Sequence, residues 1–414
     1  MQSSKRNMER MAEVVPDTNE QSFQHFLSNS FWNPQAVMAQ VAQDTDALLG
    51  GSDNSALYID ESCFKKQGKK SVGVARQWNG RLGKVDNSQC GVFAALGKGD
   101  RVGIVDARLY LPREWTDHVE RCEKAKVPPE HRQHKSKLDI ALEMVFHARS
   151  QGLRFGWVGV DSFYGQAPHL LRGLDSAGEI FVADIHSDQR IYQSDPKPYI
   201  PTSDNHKGRK RSKLQTEQSS IQVAHWAKQQ PASAWKRKTL RDTSQGKLII
   251  EVLHERVWLW DKKERHAHEW HLIVRRELNS PETVKYSLSN ADANISTLKL
   301  AKMQAQRFWI ERAFQDAKSN SGMADYQARN WYAWHRHIAL VMLAMQFMLS
   351  QRLHMKADVP LLSCRDIQEL LAITLPNRQL SEDDVRMIIE ARHRKRQLAI
   401  ESAARCQKEK IKSR

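Results

Sequence analysis

The sequence predicts an α/β protein with a mixed sheet flanked by helices, a β-rich insertion and helical regions at both ends. Three patterns lead to this fold class. Short apolar runs alternate with helical periodicity between residues 51 and 185, strand-like runs of a different texture follow, and helical stretches lie before and after them. We therefore expect five regions, with the insertion interrupting the core: 1–50, 51–185, 186–292, 293–352 and 353–414.

The core region reads as β-β-β-α-β-α-β. "ALYID" is a strand ending at Asp60, and "SQCGVFAALG" and "RVGIVDARLYLP" are strands joined by a Gly-Lys-Gly-Asp turn. A helix over "KSKLDIALEMVFHARSQG" precedes the strand "RFGWVGVD", which ends at Asp161. The helix "QAPHLLRGLDSAG" and the strand "EIFVADI" complete the pattern.

The segment 186–292 differs in texture and contains strand-like runs such as "KLIIEVLHERVWLW" and "EWHLIVRRE". We expect it to be rich in β-structure and to leave the order of the central sheet unbroken. The helix carrying Glu311 follows, and then an aromatic-rich helix through "NWYAWHRHIALVMLAMQFML".

The charge balance favours a polyanionic partner. Lys and Arg total 64 against 48 Asp and Glu in 414 residues, a formal net charge of +16. Nucleic acid is the simplest such partner, although ribosomal and RNA-binding proteins share this composition.

The cysteines and apolar runs indicate a cytoplasmic protein. The five cysteines are odd in number and form no Cys-x-x-Cys pair, which fits a reducing compartment better than a disulfide framework. "IALVMLAMQFML" is too short to span a bilayer, and no signal peptide is visible at the N-terminus.

Three acids stand out by position, two at strand ends and one on a later helix: Asp60, Asp161 and Glu311. Clustered carboxylates suit two Mg²⁺ ions, which phosphodiester hydrolysis or transfer can use. A strand-terminal Asp is more often a turn residue or helix cap, so the prediction rests on all three acids together with the strand order.

Glu311 shares a helical stripe with two cations. Arg307 lies about 40° around the helix from Glu311, and Lys318 about 20°. The arrangement predicts a metal ligand between phosphate-binding neighbours, since arginine can grip phosphate with two hydrogen bonds. The alternative is a structural ion-pair helix.

Three blocks of sequence resemble the IS701 family of transposases, within the IS4-like DDE group. They are "YIDESCFKKQGKKSVGVARQWNGRLGKVDNSQCGVF", "VGVDSFYG" and "WIERAFQDAKSNSGMADYQARNWYAWHRHIAL". The resemblance covers roughly residues 20–350 and implies an RNase-H-like core. It also implies that Asp60, Asp161 and Glu311 are the catalytic, metal-binding triad. In the signature Tyr-x2-Arg-x3-Glu-x6-Lys, Gln304 stands at the tyrosine position.

The stretch after Asp60 is basic and contains one tryptophan, a composition typical of a surface that contacts DNA backbone and stacks on unpaired bases. A solvated basic hairpin is the alternative. "HKGRKRSK" and the basic C-terminal tail could contact flanking duplex in the same way. The histidines near Cys122 and around His268 have only loosely zinc-like spacing. The predicted DNA-binding residues, beyond Arg307 and Lys318, are Lys65, Lys66, Lys69, Lys70, Arg76, Trp78 and Arg81.

The sequence thus predicts a cut-and-paste DNA transposase that uses Mg²⁺, with Mn²⁺ as a possible substitute. It would bind the ends of its element and target DNA, as a homodimer in the DNA complex, on the bacterial nucleoid. The alternatives are a catalytically inactive DNA-binding derivative and an RNase-H-like nuclease without strand transfer.

Overall fold

The structure is a computed structural model. It describes residues 7–80, 82–201, 212–243, 246–278, 280–325 and 329–412, with side chains up to Lys408. Among these residues, no helix combines the length and the apolar character needed to cross a membrane.

The N-terminal region is helical, as expected. Asn33 caps the longest of its helices with Pro34 at the first helical position, where the missing N–H costs nothing. Buried Met38 and Val41 fix this helix against the core. The helices are α1 (Met8–Ala12), α2 (Glu20–Ser28) and α3 (Pro34–Leu49).

An antiparallel sheet follows, and its first strand is longer than the sequence predicts. That strand does not end at Asp60 but continues to Lys65, because its far half still pairs with the next long strand, up to Lys65 opposite Ser88. The predicted hairpin turn is present at Gly99 and Asp100. The strands are β1 (Ser52–Lys65), β2 (Ala75–Asn79), β3 (Lys84–Lys98) and β4 (Arg101–Leu109).

Two crossover connections then add two parallel strands on one side of β1, the first next to β1 and the second beyond it. Ser136 and Asp139 form a capping box that starts the first long crossover helix. The elements are α4 (Arg113–Thr116), α5 (Val119–Lys124), a 3₁₀ turn (Pro129–His131), α6 (Lys137–Ser150), β5 (Phe155–Val160), α7 (Ser162–Gly165), α8 (Pro168–Ser176) and β6 (Phe181–Ile185).

The four longer strands of the segment 186–292 continue the same sheet, while its two shortest strands pair with each other in a separate two-stranded sheet. The last strand of the segment pairs antiparallel with β6, from Tyr286 opposite Ile185 to Ser289 opposite Val182. The elements are β7 (Arg190–Ile191), β8 (Ile221–Gln222), α9 (Val223–Gln229), a 3₁₀ turn (Ala232–Ala234), β9 (Lys236–Thr243), β10 (Gly246–Leu259), β11 (His268–Glu277) and β12 (Ser280–Ser289).

Helices complete the chain. The last of them is mostly exposed and is tied to the N-terminal region by the ion pair of Arg392 with Glu13, at 2.6 Å. The helices are α10 (Thr297–Gln306), α11 (Phe308–Asn320), α12 (Trp331–His354), α13 (Cys364–Thr374) and α14 (Glu382–Lys412).

Within the described residues the main sheet runs β2-β3-β1-β5-β6-β12-β11-β10-β9, with β4 also paired to β3. Strand β1 is buried on both faces: Ala56 and Tyr58 join one apolar cluster, and Leu57 and Ile59 join the other. Helices α3 and α12 pack against β4. The predicted RNase-H-like class, a mixed sheet flanked by helices, is confirmed, while the domain boundaries stay predictions.

Two of the five cysteines are paired, although their odd number and spacing favoured a reducing compartment over a disulfide framework. Cys63 on β1 and Cys90 on β3 form a disulfide. They are direct partners in the antiparallel ladder, which brings their Cα atoms within 4.1 Å although 27 positions separate them in the chain. Spacing alone could not reveal this pair, because it depends on the strand register.

Candidate active site

Strand register places three aspartates in one row. Ile59 on β1 pairs with Val160 on β5, which in turn pairs with Ala183 on β6. Because residues in register project from the same face of a sheet, the positions that follow them also lie side by side. Those positions are Asp60, Asp161 and Asp184.

The first two aspartates are held by backbone N–H groups. Oδ1 of Asp60 accepts a hydrogen bond from the N–H of Glu61 at 2.7 Å. Asp161 is the N-cap of α7, where its Oδ1 accepts from Phe163 and Tyr164 at 3.0 and 3.2 Å. Asp161 therefore takes the capping role that is common for a strand-terminal aspartate, and its Oδ2 still has no hydrogen bond to the backbone of that turn.

The electrostatics of this pair favour a bound cation. Burial, together with the nearby Asp161 carboxylate, raises the pKa of Asp60 to about 7, although Arg307 acts in the opposite direction. Burial also raises the pKa of Asp161. Two neighbouring carboxyl groups with raised pKa values are difficult to ionise at the same time. A bound divalent ion would stabilise both in their charged form.

Glu311 approaches the row from helix α11, with Arg307 between. The Arg307 side chain is only 13% exposed, and its Nη2 lies 3.3 Å from Oε1 of Glu311. Its Nε donates to Oδ2 of Asp184 at 2.8 Å, and its Nη1 lies 4.0 Å from Oδ2 of Asp60. Attraction to these carboxylates outweighs the effect of burial and raises the pKa of Arg307.

All three predicted acids line one cavity of about 1030 Å³. Its wall also includes Lys318, whose Nζ lies 5.7 Å from the ring centre of Phe64. Two exposed aromatic rings, Trp78 and Phe163, border it. The cavity therefore combines acidic, cationic and aromatic groups.

The predicted metal site is not fully assembled. Among the described residues, no three His, Cys, Asp or Glu side chains lie close enough together to hold one ion. Arg307 lies between Glu311 and Asp60 instead. Asp60 and Asp161 nevertheless fit a hard divalent cation, since both are carboxylates with raised pKa values at one wall of the cavity.

Of the other predicted DNA-binding residues that the structure describes, only Trp78 lines this cavity. Lys65 pairs with Asp86 at 3.3 Å, and burial lowers the pKa of Lys66 to about 8. Lys69, Lys70 and Arg76 are exposed. Arg81 and residues 206–211 of the basic insert lie outside the described residues.

Sequence reasoning missed several groups of the site. Asp184 ends the apolar run "FVAD", so the argument applied to Asp60 and Asp161 could have found it. Glu61 follows Asp60 directly and pairs with Lys137 at 2.7 Å. Ser287 carries no signal of its own, because only the pairing of β12 with β6 brings it to Asp184.

Comparison with known proteins places the chain in a family. The sequence model of the family described as "DDE superfamily endonuclease" matches residues 1–247. The chain belongs to the DDE superfamily of endonucleases. The match includes the Asp60 and Asp161 positions of this DDE endonuclease and ends before Glu311.

The DDE endonuclease is also similar to a probable transposase for insertion sequence element IS701 from Microchaete diplosiphon. The two are 23% identical over 332 residues, which is 79% of this chain and 73% of the relative. A search of solved structures returns the NurA nuclease from Sulfolobus solfataricus at a TM-score of 0.24 and 9% identity, covering 82% of this chain and 98% of that one.

Proposed function

We propose that this DDE endonuclease is a transposase that cleaves the ends of its own element and transfers them to target DNA. The observation that carries the proposal is the row formed by Asp60 and Asp161, which shares one cavity with Glu311. Similarity to a probable transposase supports strand transfer in addition to endonuclease activity.

Divalent ions, Mg²⁺ or Mn²⁺, would be held by Asp60, Asp161 and Glu311. When bound, such ions supply activation of an attacking oxygen and stabilisation of a leaving oxygen. Asp60 and Asp161 are already oriented by backbone hydrogen bonds, so they contribute fixed ligands. Glu311, which lines the same cavity, would complete the set.

Other groups of the cavity would hold the DNA. Lys318 provides a point charge for a backbone phosphate, and Trp78 and Phe163 provide faces on which an unpaired base can stack. The exposed lysines after β1 and the exposed basic residues of α14 would contact flanking duplex. Two element ends require two such sites, which fits a homodimer in the DNA complex acting on the bacterial nucleoid.

Purified protein incubated with DNA carrying candidate element ends tests the proposal. We expect Mg²⁺-dependent cleavage and joining of the freed end to a second DNA. Asp60→Asn, Asp161→Asn and Glu311→Gln should each abolish cleavage while binding to the ends persists, because the basic surfaces remain. Cleavage without joining would indicate a nuclease, and binding without cleavage would indicate an inactive derivative.

A further inference from the structure

Asp184, the third aspartate of the row, uses both of its carboxylate oxygens within the protein. Oδ2 accepts from Nε of Arg307 at 2.8 Å, and Oδ1 accepts from Oγ of Ser287 at 2.6 Å. Asp60 and Asp161 have no such side-chain donors at hydrogen-bonding distance among the described residues. Asp184 therefore differs from its neighbours in the row and is suited to anchoring, not to binding a metal.

A second buried hydrogen bond holds the partner of Asp184 in place. Nε2 of Gln304 donates to Oγ of Ser287 at 2.7 Å, and the serine hydroxyl in turn donates a hydrogen bond to Oδ1 of Asp184. Gln304 is 3% exposed and Ser287 is fully buried. Donor and acceptor roles agree from Gln304 through Ser287 and Asp184 to Arg307. Among the described residues, the Oε1 atom of Gln304 is buried without a hydrogen-bond partner.

This chain of hydrogen bonds joins separate parts of the fold. Ser287 lies on β12, Asp184 on β6, and Gln304 on α10, while Arg307 lies at the junction of α10 and α11. The segment that enters the sheet between β6 and α10 thus supports the residues around Glu311. Gln304, which stands where the family signature has a tyrosine, contributes to this support.

The position of Arg307 connects its hydrogen bond with Asp184 to metal binding. Its guanidinium lies between Asp60 and Glu311, at 4.0 and 3.3 Å, where it supplies positive charge to both carboxylates. Asp184 holds the same guanidinium by its Nε and offsets its charge. Without Asp184, Arg307 would be free to bind Asp60 and Glu311 more closely and would compete with a metal ion.

We propose that Asp184 is a positioning residue that anchors Arg307 and thereby keeps Asp60 and Glu311 available to divalent cations. The inference rests on the proposed function for the identity of the metal ligands. It assigns a role to Ser287 and Gln304 as well, since both hold the Asp184 carboxylate in place.

Asp184→Asn in the full-length protein tests the proposal. Asparagine keeps the shape of the side chain, but it has only one oxygen to accept from both Arg307 and Ser287. Mn²⁺ binding is measured by electron paramagnetic resonance, and the Mg²⁺ dependence of cleavage on element-end DNA is measured in parallel. We expect the Mn²⁺ dissociation constant to rise by about tenfold or more, because partners that orient metal ligands commonly have effects of this size.

Asp46→Asn is the matched control. Asp46 accepts from Nε of Arg154 at 2.7 Å, its side chain is 8% exposed, and it does not line the cavity. Both variants should lower the melting temperature, whereas only Asp184→Asn should weaken Mn²⁺ binding. Equal Mn²⁺ affinity in wild type and Asp184→Asn, or equal loss in the two variants, would overturn the proposal.

A milder variant covers the case in which Asp184→Asn does not fold. Ser287→Ala removes one hydrogen bond to Asp184. It should weaken Mn²⁺ binding as well, but by less than Asp184→Asn. Wild-type Mn²⁺ affinity in Ser287→Ala would count against the positioning role of Asp184. A wild type that binds Mn²⁺ through the Asp184-dependent site yet cuts no DNA would refute the proposed function alone. If wild type cuts DNA and Asp184→Asn matches it in Mn²⁺ binding and in cleavage, only the positioning role of Asp184 is refuted.

Discussion

Gly165 lies against the backbone of Asp184 so closely that a Cβ atom on Gly165 would overlap the Asp184 carbonyl oxygen. Gly165 ends the short helix α7 that Asp161 caps. Two aspartates of the row are therefore coupled through this contact, because the turn carrying Asp161 rests directly on the strand carrying Asp184. The absence of a side chain at Gly165 allows that approach.

Gly165→Ala should consequently disturb the site as well as the fold. The added methyl meets rigid backbone, so the turn must move, and we expect a loss of stability of about 1–3 kcal/mol together with reduced cleavage. Thermal melts and end-cleavage assays measure the two effects. Gly173→Ala is the control, because its methyl would meet the flexible side chain of Leu142 at 2.9 Å and lies away from the cavity. Wild-type behaviour of Gly165→Ala would contradict the close approach.

Lys318→Gln should weaken binding to element ends roughly equally for all base sequences. A phosphate contact positions DNA without reading bases, and losing one lowers the slope of log affinity against log salt by about 0.9 on duplex DNA. Binding titrations at several salt concentrations measure the slope. Lys302→Gln, an exposed charge on α10 outside the cavity, serves as the control. The same slope for Lys318→Gln and wild type would remove Lys318 from the DNA interface.

The sequence-based prediction that Arg307 contacts phosphate can be compared in the same titration. Its side chain is 13% exposed and engaged with Asp184 and Glu311. If Arg307 is held by Asp184 and does not contact phosphate, Arg307→Gln should leave the slope of log affinity against log salt unchanged and should lower the melting temperature. A slope reduced by about 0.9 would instead support the phosphate contact.

Trp78→Ala should reduce affinity for DNA ends that contain unpaired bases more than for intact duplex. Trp78 is 56% exposed on the cavity wall, and stacking on an aromatic ring contributes roughly 1–3 kcal/mol per base. Fluorescence anisotropy with blunt and frayed ends measures the difference. Phe31→Ala is the control, since Phe31 is fully exposed and remote from the cavity lining. Equal losses on both substrates would argue against stacking.

Stability should fall as the pH drops from about 6.5 towards 4. Burial lowers the pKa of His254, His335 and His337 to about 4, so the folded protein keeps them neutral while the unfolded chain protonates them near pH 6.5. Protons then bind preferentially to the unfolded state, and the free energy of unfolding decreases across this interval.

His335→Leu should make that decrease shallower in melts recorded across the same pH range, because one of the buried groups no longer titrates. His393→Leu, on the exposed face of α14, should leave the pH dependence unchanged. If His335→Leu and wild type lose stability in parallel, His335 does not contribute to the effect.

The sequence by itself determined the fold class and the two aspartates at the centre of the site. Apolar runs that end in Asp60 and Asp161 identify two strands of the core, because hydrophobic periodicity is a local property of consecutive residues. The spacing of Glu311 and Lys318 likewise placed both residues on one helix, whereas Arg307, expected on the same helix, lies at the junction of α10 and α11.

Only the tertiary structure decided what those residues touch. Asp184, Ser287 and the Cys63–Cys90 pair join positions far apart in the chain, and strand register, which no local pattern encodes, brings them together. Arg307 illustrates the same limit. Its helical spacing from Glu311 is visible in the sequence, but its partner Asp184 lies 123 positions earlier, so burial and pairing emerge only when β6 and α11 meet.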